Sequence, residues 1–196
     1  MVEGPIDEAV MAVLVAAAGG VLTEIYKKNG KPAVRKGIRG YDQAARTTGT
    51  PWVVLLDLDR DADCAVPFCR ELLCDPAPTL CLRVAVRAVE AWLLADAERL
   101  AGWFRVSPGR IPPDPEALPD PKRAFVDLCR RSRSSRIKAA MVPRPGSGRA
   151  VGAGYTNEVI DFVTDPQDGW RPGVAAGRAD SLRRAFGCIG RLVHNP

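Results

Sequence analysis

Two acidic segments, far apart in the chain, contain the side chains best suited to chemistry. Glu3 and Asp7 lie near the start of the sequence, and Asp57 and Asp59 directly follow an apolar run. Hard divalent cations such as Mg²⁺ and Mn²⁺ prefer oxygen ligands and compact negative charge, which carboxylates provide. If folding brings the two segments together, the pattern predicts a metal site for phosphoryl chemistry.

Strand-like and helix-like segments alternate through the first half of the chain. The run that ends at Asp57 consists of consecutive large apolar residues, which is typical of a central parallel strand covered on both faces. Further segments are predicted as strands over Met1–Glu3, Val21–Tyr26 and Leu80–Val86, as helices over Ile6–Ala18, Tyr41–Arg46 and Ala65–Leu73, and as a loop over Lys27–Gly40. This order predicts an α/β fold with a Rossmannoid, four-stranded, mostly parallel sheet flanked by helices. The first strand is short, so either it is truncated or the true start lies upstream.

The predicted sheet brings the distant carboxylates to one rim, because ligands bind beyond the carboxyl ends of parallel strands. Glu3 ends the first strand and Asp57 the third, and Asp7 lies in the following helical turn. Asp57 and Asp59 point to the same side in an extended chain, roughly 6–7 Å apart. Crowded carboxylates repel one another by several kcal/mol unless a cation compensates them. Mg²⁺ would give a metal site, whereas Arg60 would give a structural cluster, and the sequence leaves both open.

Glu90 is a further candidate, because it follows the fourth predicted strand in a stretch that otherwise suggests burial. A buried carboxylate needs a partner. It is either paired with Arg87 or turned toward the acidic rim as an extra metal ligand.

The second half of the chain has a different character. We predict an α/β core over residues 1–96 and a helical, proline-rich, basic extension over residues 97–196 that packs on it. The predicted helices cover Val89–Arg105, Pro121–Arg131, Asn157–Val163 and Ser181–Val193.

Positive charge is concentrated in this extension, although the whole chain carries only +5. The segment Lys122–Arg149 contains nine basic residues and one acid, Asp127. Acidic residues in the first half of the chain and basic residues in the second half would suit a polyanion that binds across a metal site. The alternative interpretation of the basic segment is a solvent-exposed helix with no ligand. The residues expected to hold a nucleic-acid backbone are Lys122, Arg130, Arg131, Arg133, Arg136 and Lys138.

The remaining composition favours a soluble cytoplasmic protein. No apolar run is long enough to cross a membrane, so no membrane partner is expected. The six cysteines lack the spacing of a zinc site and are expected to be free buried thiols. Oligomer formation stays open.

The acidic motifs resemble those of the Toprim domain, which occurs in topoisomerases, bacterial primases and nucleases of the overcoming-lysogenization-defect type. The resemblance covers Met1–Val86 and rests on the segments Val2–Asp7 and Leu56–Arg60. The segment Val86–Asp96 resembles a group of uncharacterised bacterial Toprim-like proteins. By this resemblance Glu3 is a general acid/base, Asp57 and Asp59 are Mg²⁺ ligands, and Asp7 binds a second metal ion.

These patterns together predict a Mg²⁺- or Mn²⁺-dependent nuclease that acts on DNA or RNA. The resemblance also implies a host-defence or toxin role, with an ATPase or a toxin–antitoxin neighbour as protein partner. Two alternatives stay open. One is a non-catalytic nucleic-acid-binding or regulatory module, and the other is a nucleotidyl transferase of primase type.

Overall fold

The computed structural model describes residues 1–194, and helices dominate it. In chain order, the regular elements are α1 (Pro5–Ala17), α2 (Lys31–Thr48), β1 (Trp52–Asp57), α3 (Ala65–Leu72), β2 (Leu80–Ala85), α4 (Val89–Ala95), α5 (Ala97–Trp103), α6 (Pro121–Arg130), α7 (Ser135–Met141), α8 (Tyr155–Thr164), α9 (Pro172–Ala175) and α10 (Asp180–His194), with short 3₁₀ turns at Pro108–Arg110 and Pro115–Ala117.

The sheet has two strands within the described residues, so the predicted four-stranded sheet is wrong. Parallel strands β1 and β2 pair in register from Trp52 with Leu80 to Asp57 with Ala85. The middle of β1 is buried, as the apolar run predicts. On the other side of β1, Met1 bonds to the backbone of Val53 and Leu55, and Val2 in turn forms an isolated parallel bridge with Lys27. Because this link is so short, the segment Val21–Tyr26 has no strand to pair with along its length.

The segment after Lys27 is also different from the prediction, because α2 replaces most of the expected loop. Gly37 and Gly40 suggested a break, since glycine weakens a helix interior. The helix forms nevertheless, because Val34, Ile38 and Ala45 are spaced along one face and are buried against the sheet. Gly49 ends it with a left-handed φ of 70°.

The long helix predicted over Val89–Arg105 is divided in two at Asp96. This carboxylate caps α5 by accepting the N–H of Arg99, and it forms an ion pair with Arg171 at 2.7 Å. An aspartate that is 1% exposed must be paired, and the break in the helix lets both partners reach it.

The two halves of the chain share one hydrophobic core. Helix α8 packs against α1, and α10 packs against β2. Cys81 on β2 and Cys188 on α10 form a disulfide, which differs from the expectation that all six cysteines are free thiols. The other four are free, but of these only Cys129 is buried as predicted, whereas Cys69 is half-buried and Cys64 and Cys74 are exposed. Throughout residues 1–194, each helix is too short or too polar to cross a membrane.

Candidate metal centre

Four carboxylates from three separate segments meet at the carboxyl end of β1, and we call them the acidic cluster: Glu3, Asp7, Asp57 and Glu90. Glu3 precedes α1, Asp7 lies in its first turn, Asp57 is the last residue of β1, and Glu90 lies in the first turn of α4. Two helix starts and a strand end therefore place these side chains together.

Backbone N–H groups fix three of the four carboxylates. Gly4 donates to Asp7 Oδ2 at 2.8 Å. The N–H of Asp57 donates to Glu3 Oε1, and the N–H of Val89 donates to Asp57 Oδ1, both at 3.0 Å. These bonds explain how Glu3 and Asp57 become neighbours although they are far apart in the chain.

Glu90 belongs to the acidic cluster rather than to Arg87. The Arg87 guanidinium donates to the main-chain oxygens of Asp59 and Ala62, at 2.9 and 2.8 Å. Glu90 is 3% exposed, and its Oε1 accepts the Tyr155 hydroxyl at 2.8 Å. Lys122 Nζ lies 3.6 Å from the same oxygen.

The electrostatics of the cluster show that its negative charge is under-compensated. Burial, with the charges of Glu3 and Glu90, raises the pKa of Asp7 to about 7 despite the Gly4 donor and Lys122. Burial, and then the charges of Glu90, Asp7 and Glu3, raise the pKa of Asp57 well above its usual value. Burial also raises the pKa of Glu3, against the opposing Asp57 N–H and Lys31.

Asp59 lies outside the cluster and has its own partner. Lys31 Nζ contacts Asp59 Oδ2 at 2.5 Å and Asp61 Oδ2 at 3.1 Å, and we call Asp59 and Asp61 the lysine-paired acids. Burial opposes the charge on Lys31, but these two partners raise its pKa overall. Arg60 forms no ion pair with any residue between 1 and 194.

The acidic cluster fits a hard divalent cation by its chemistry, but its oxygens are not arranged as a formed site. All four donors are carboxylates, and Lys122 is the one basic side chain in ion-pair contact with them among the described residues. Within residues 1–194, no three His, Cys, Asp or Glu side chains surround a common point at which a metal ion could sit. A cation would have to draw the carboxylates inward.

The six predicted nucleic-acid contacts are all exposed. Only Lys122 reaches the acidic cluster. Arg130 pairs with Asp127, and Arg136 pairs with Glu158. Arg131, Arg133 and Arg136 line three different shallow grooves, and Lys138 lies on α7 without an ion-pair partner among the described residues.

Two residues that contact the acidic side chains, Tyr155 and Lys31, were not identified from the sequence. Tyr155 is 1% exposed and supports Glu90, and no local pattern indicates this contact because the two residues are far apart in the chain. The sequence predicts a loop at Lys31, whereas this residue is the first of α2. Once α2 is identified from its apolar spacing, its first residue becomes a natural partner for acids at the neighbouring strand end.

Comparisons with protein-family models, with curated proteins and with solved structures find no match.

Proposed function

We propose that the chain is a Mg²⁺- or Mn²⁺-dependent phosphodiesterase acting on nucleic acid, with the acidic cluster as its active centre. The observation that supports this most is the set of raised pKa values of Glu3, Asp7 and Asp57, carboxylates gathered from two distant segments of the chain. Strongly perturbed acids cluster at functional sites, because a fold gains no stability from crowding like charges. The sequence resemblance to the Toprim domain supports the same assignment.

Each residue of the cluster has a distinct role in this proposal. Asp57, Asp7 and Glu90 would hold the divalent cation, which supplies electrostatic stabilisation of the charge that develops on the phosphate. Glu3, whose pKa is raised by burial, would take and return the proton of the attacking water. Asp59 could join the metal ligands only by leaving Lys31.

Lys122 is the side chain best placed to meet a phosphate at this centre. Its ammonium group is close to Glu90 and lies 5.4 Å from the centre of the Tyr155 ring. The side chain is half exposed, so it could contact both the cluster and an incoming phosphodiester. The other basic residues would contact the nucleic-acid backbone, without reading bases.

A nucleic-acid-binding module without catalysis is the second candidate, and one observation favours it. Asp59 is held by Lys31, and the cluster has no preformed metal geometry within residues 1–194. Such a module would bind nucleic acid with a steep salt dependence and without any need for a divalent cation.

The decisive experiment is incubation of the purified chain with labelled single- and double-stranded DNA and RNA in Mg²⁺, in Mn²⁺ and in EDTA. We expect cleavage with a divalent cation only. Asp57→Asn should lower the rate by at least ~100-fold, since metal-held charge stabilisation is worth several kcal/mol.

A matched control is Asp161→Asn, which makes the same chemical change at an exposed position of α8. Its cleavage rate should stay within about twofold of the wild type, as is usual for surface substitutions. Cleavage that persists in EDTA would refute the metal mechanism. Binding without cleavage in either metal would favour the second candidate.

A further inference from the structure

Three arginines lie close together beside β2, and we call them the arginine group: Arg83, Arg184 and Arg191. Strand β2 is an edge strand, because β1 is its one strand partner among the described residues. Helix α10 runs beside it in the opposite direction. Near the end of β2, Ser181 Oγ accepts the N–H of Val86 at 3.2 Å, and near its start Cys188 is bonded to Cys81.

The spacing along both elements brings the three arginines to the same side. Arg184 lies four residues before Cys188 and Arg191 three residues after it, so these residues share one stripe of α10. Arg83 lies two residues after Cys81, so its side chain leaves β2 on the face that carries the disulfide. At roughly 1.5 Å per helical residue and 3.3 Å per strand residue, Arg83 falls between the levels of the two helix arginines.

The guanidinium group of Arg83 is half-buried and has a donor to spare. Its Nη1 donates to the Leu82 carbonyl at 3.0 Å. Its Nε is buried without an acceptor in residues 1–194, whereas Nη2 is open to solvent and forms no hydrogen bond with the described chain. Nη2 is therefore the atom that an external acceptor could reach.

The positive charge of the arginine group exceeds its carboxylate partners. Arg83 and Arg191 form no ion pair within residues 1–194, and Arg184 pairs with Asp180 at 2.6 Å. Burial is the largest influence on the pKa of Arg83 and lowers it, against the opposing effect of the Cys69 thiol. The charges of Arg191 and Arg184 lower this pKa further. A partly desolvated guanidinium among like charges lacks a counter-ion.

The surface of α10 between the two helix arginines is open. Gly187 is exposed there, and a Cβ atom built on it would have one atom of another side chain within 4 Å, Arg191 Nη1 at 4.0 Å. The Arg191 side chain therefore folds back along the helix over Gly187, in the direction of Arg184. A ligand at this position would meet guanidinium groups and no bulky side chain from Gly187.

We propose that the arginine group binds a phosphate group, supplied either as free phosphate or by the backbone of a nucleic acid. Guanidinium groups bind phosphate oxygens through paired N–H donors, and the several oxygens of one phosphate can accept from more than one arginine. The phosphate charge would be the counter-ion that Arg83 and Arg191 lack. A carboxylate has two oxygens and one charge, which suits a single arginine better than a group of three.

Two free cysteines next to the arginine group provide a local readout. The Cys69 thiol acts on the charge of Arg83 and the Cys64 thiol on that of Arg184, so both thiols lie near the guanidinium groups. Cys64 is exposed and directly precedes α3. Cys74 is also free and exposed, but it lies beyond the other end of α3 and serves as an internal control.

The experiment is alkylation of the native protein with iodoacetamide during a titration with phosphate at constant ionic strength. Mass spectrometry gives the reaction rate of each cysteine. A bound phosphate would shield Cys64 and remove the positive field that favours its thiolate. At a concentration about ten times the dissociation constant, Cys64 should react roughly 10-fold more slowly. The rate at Cys74 should not change.

Two substitutions assign the protection to the arginine group. Arg191→Gln removes an exposed guanidinium, so the fold should be retained, and it should weaken phosphate binding at least ~10-fold through the loss of charge-assisted hydrogen bonds. Arg39→Gln makes the same chemical change at an exposed residue of α2 and should leave the affinity unchanged.

A second titration separates the two sources of phosphate. Its probe is a single-stranded oligonucleotide without terminal phosphates, in EDTA, so that neither metal binding nor cleavage contributes. Protection of Cys64 by free phosphate alone would assign a small phosphorylated ligand, and protection by the oligonucleotide would assign the nucleic-acid backbone. No protection by either probe, equal protection of Cys64 and Cys74, or protection that persists in Arg191→Gln would overturn the proposal. These outcomes do not depend on the proposed phosphodiesterase activity.

Discussion

The acidic cluster and the lysine-paired acids lie side by side after the same strand, yet they are electrostatic opposites. Asp57 is surrounded by three other carboxylates, and burial and their charges raise its pKa. Asp59 is more than half exposed and has a direct ammonium partner in Lys31. The exposed charge of Asp59 is therefore neutralised by a direct partner, whereas the negative charge of the less exposed acidic cluster is under-compensated. We infer from this contrast that the cluster is completed from outside the chain.

The largest expected difference between the two regions is in metal affinity. Asp57→Asn should weaken Mn²⁺ binding by at least ~10-fold, because it removes a central ligand charge. Asp59→Asn should change it by less than about threefold, since its carboxylate is already engaged by Lys31. Both affinities can be measured by titration while free Mn²⁺ is followed by electron paramagnetic resonance.

The same titration can contradict the distinction between the acidic cluster and the lysine-paired acids. If Asp59→Asn costs as much affinity as Asp57→Asn, Asp59 leaves Lys31 when the cation enters, as the Toprim resemblance implies. If neither substitution matters, the cluster does not bind Mn²⁺. Asp161→Asn again serves as the control for the general effect of losing one negative charge.

The next expected effect concerns stability and pH. The pKa of Asp7 is about 7 in the folded protein and about 3.9 in an unfolded chain. Between these values the folded state binds more protons, so this residue makes the free energy of unfolding fall as pH rises from about 4 to 7. At pH 8 the charged carboxylate should cost on the order of 4 kcal/mol, because the two pKa values differ by about three units, and Asp7→Asn would recover this free energy.

The measurement is urea unfolding of the wild type and Asp7→Asn at pH 5 and pH 8. The difference between the two proteins isolates Asp7, which matters because the lowered pKa of the Met1 ammonium group acts in the opposite direction between about 6 and 8. Asp7→Asn should be the more stable protein at pH 8, and its advantage should shrink at pH 5. Equal stability at both values would mean that the cluster imposes no cost.

The sequence predicted the elements whose signals are local. The apolar run gave the bounds of β1, and the helix predicted from Pro121 onward begins at that residue in α6. The sheet was wrong for a non-local reason. The segment Val21–Tyr26 has the alternation of a strand, but a strand also needs a partner, and Met1 and Val2 meet it only at its end.

The candidate site shows the same limit. The pairing of Glu3 with Asp57 follows from the expectation that strand ends converge, and the structure brings these residues together. The separation of Asp57 from Asp59 could not be predicted, because it depends on Lys31 and therefore on α2. Asp59 also has a φ of 49°, so the chain turns directly after β1 instead of continuing extended.

The smallest expected effect concerns the ion pair between Lys31 and the lysine-paired acids. A double-mutant cycle of Lys31→Ala and Asp59→Ala should give a coupling free energy of only about 0.5–1 kcal/mol, because solvent screens a partly exposed pair. The coupling should be the same with and without Mg²⁺ if the lysine-paired acids stay apart from the metal centre. A coupling that disappears when Mg²⁺ is added would show that Asp59 exchanges Lys31 for the cation. The two regions would then be alternative states of one site.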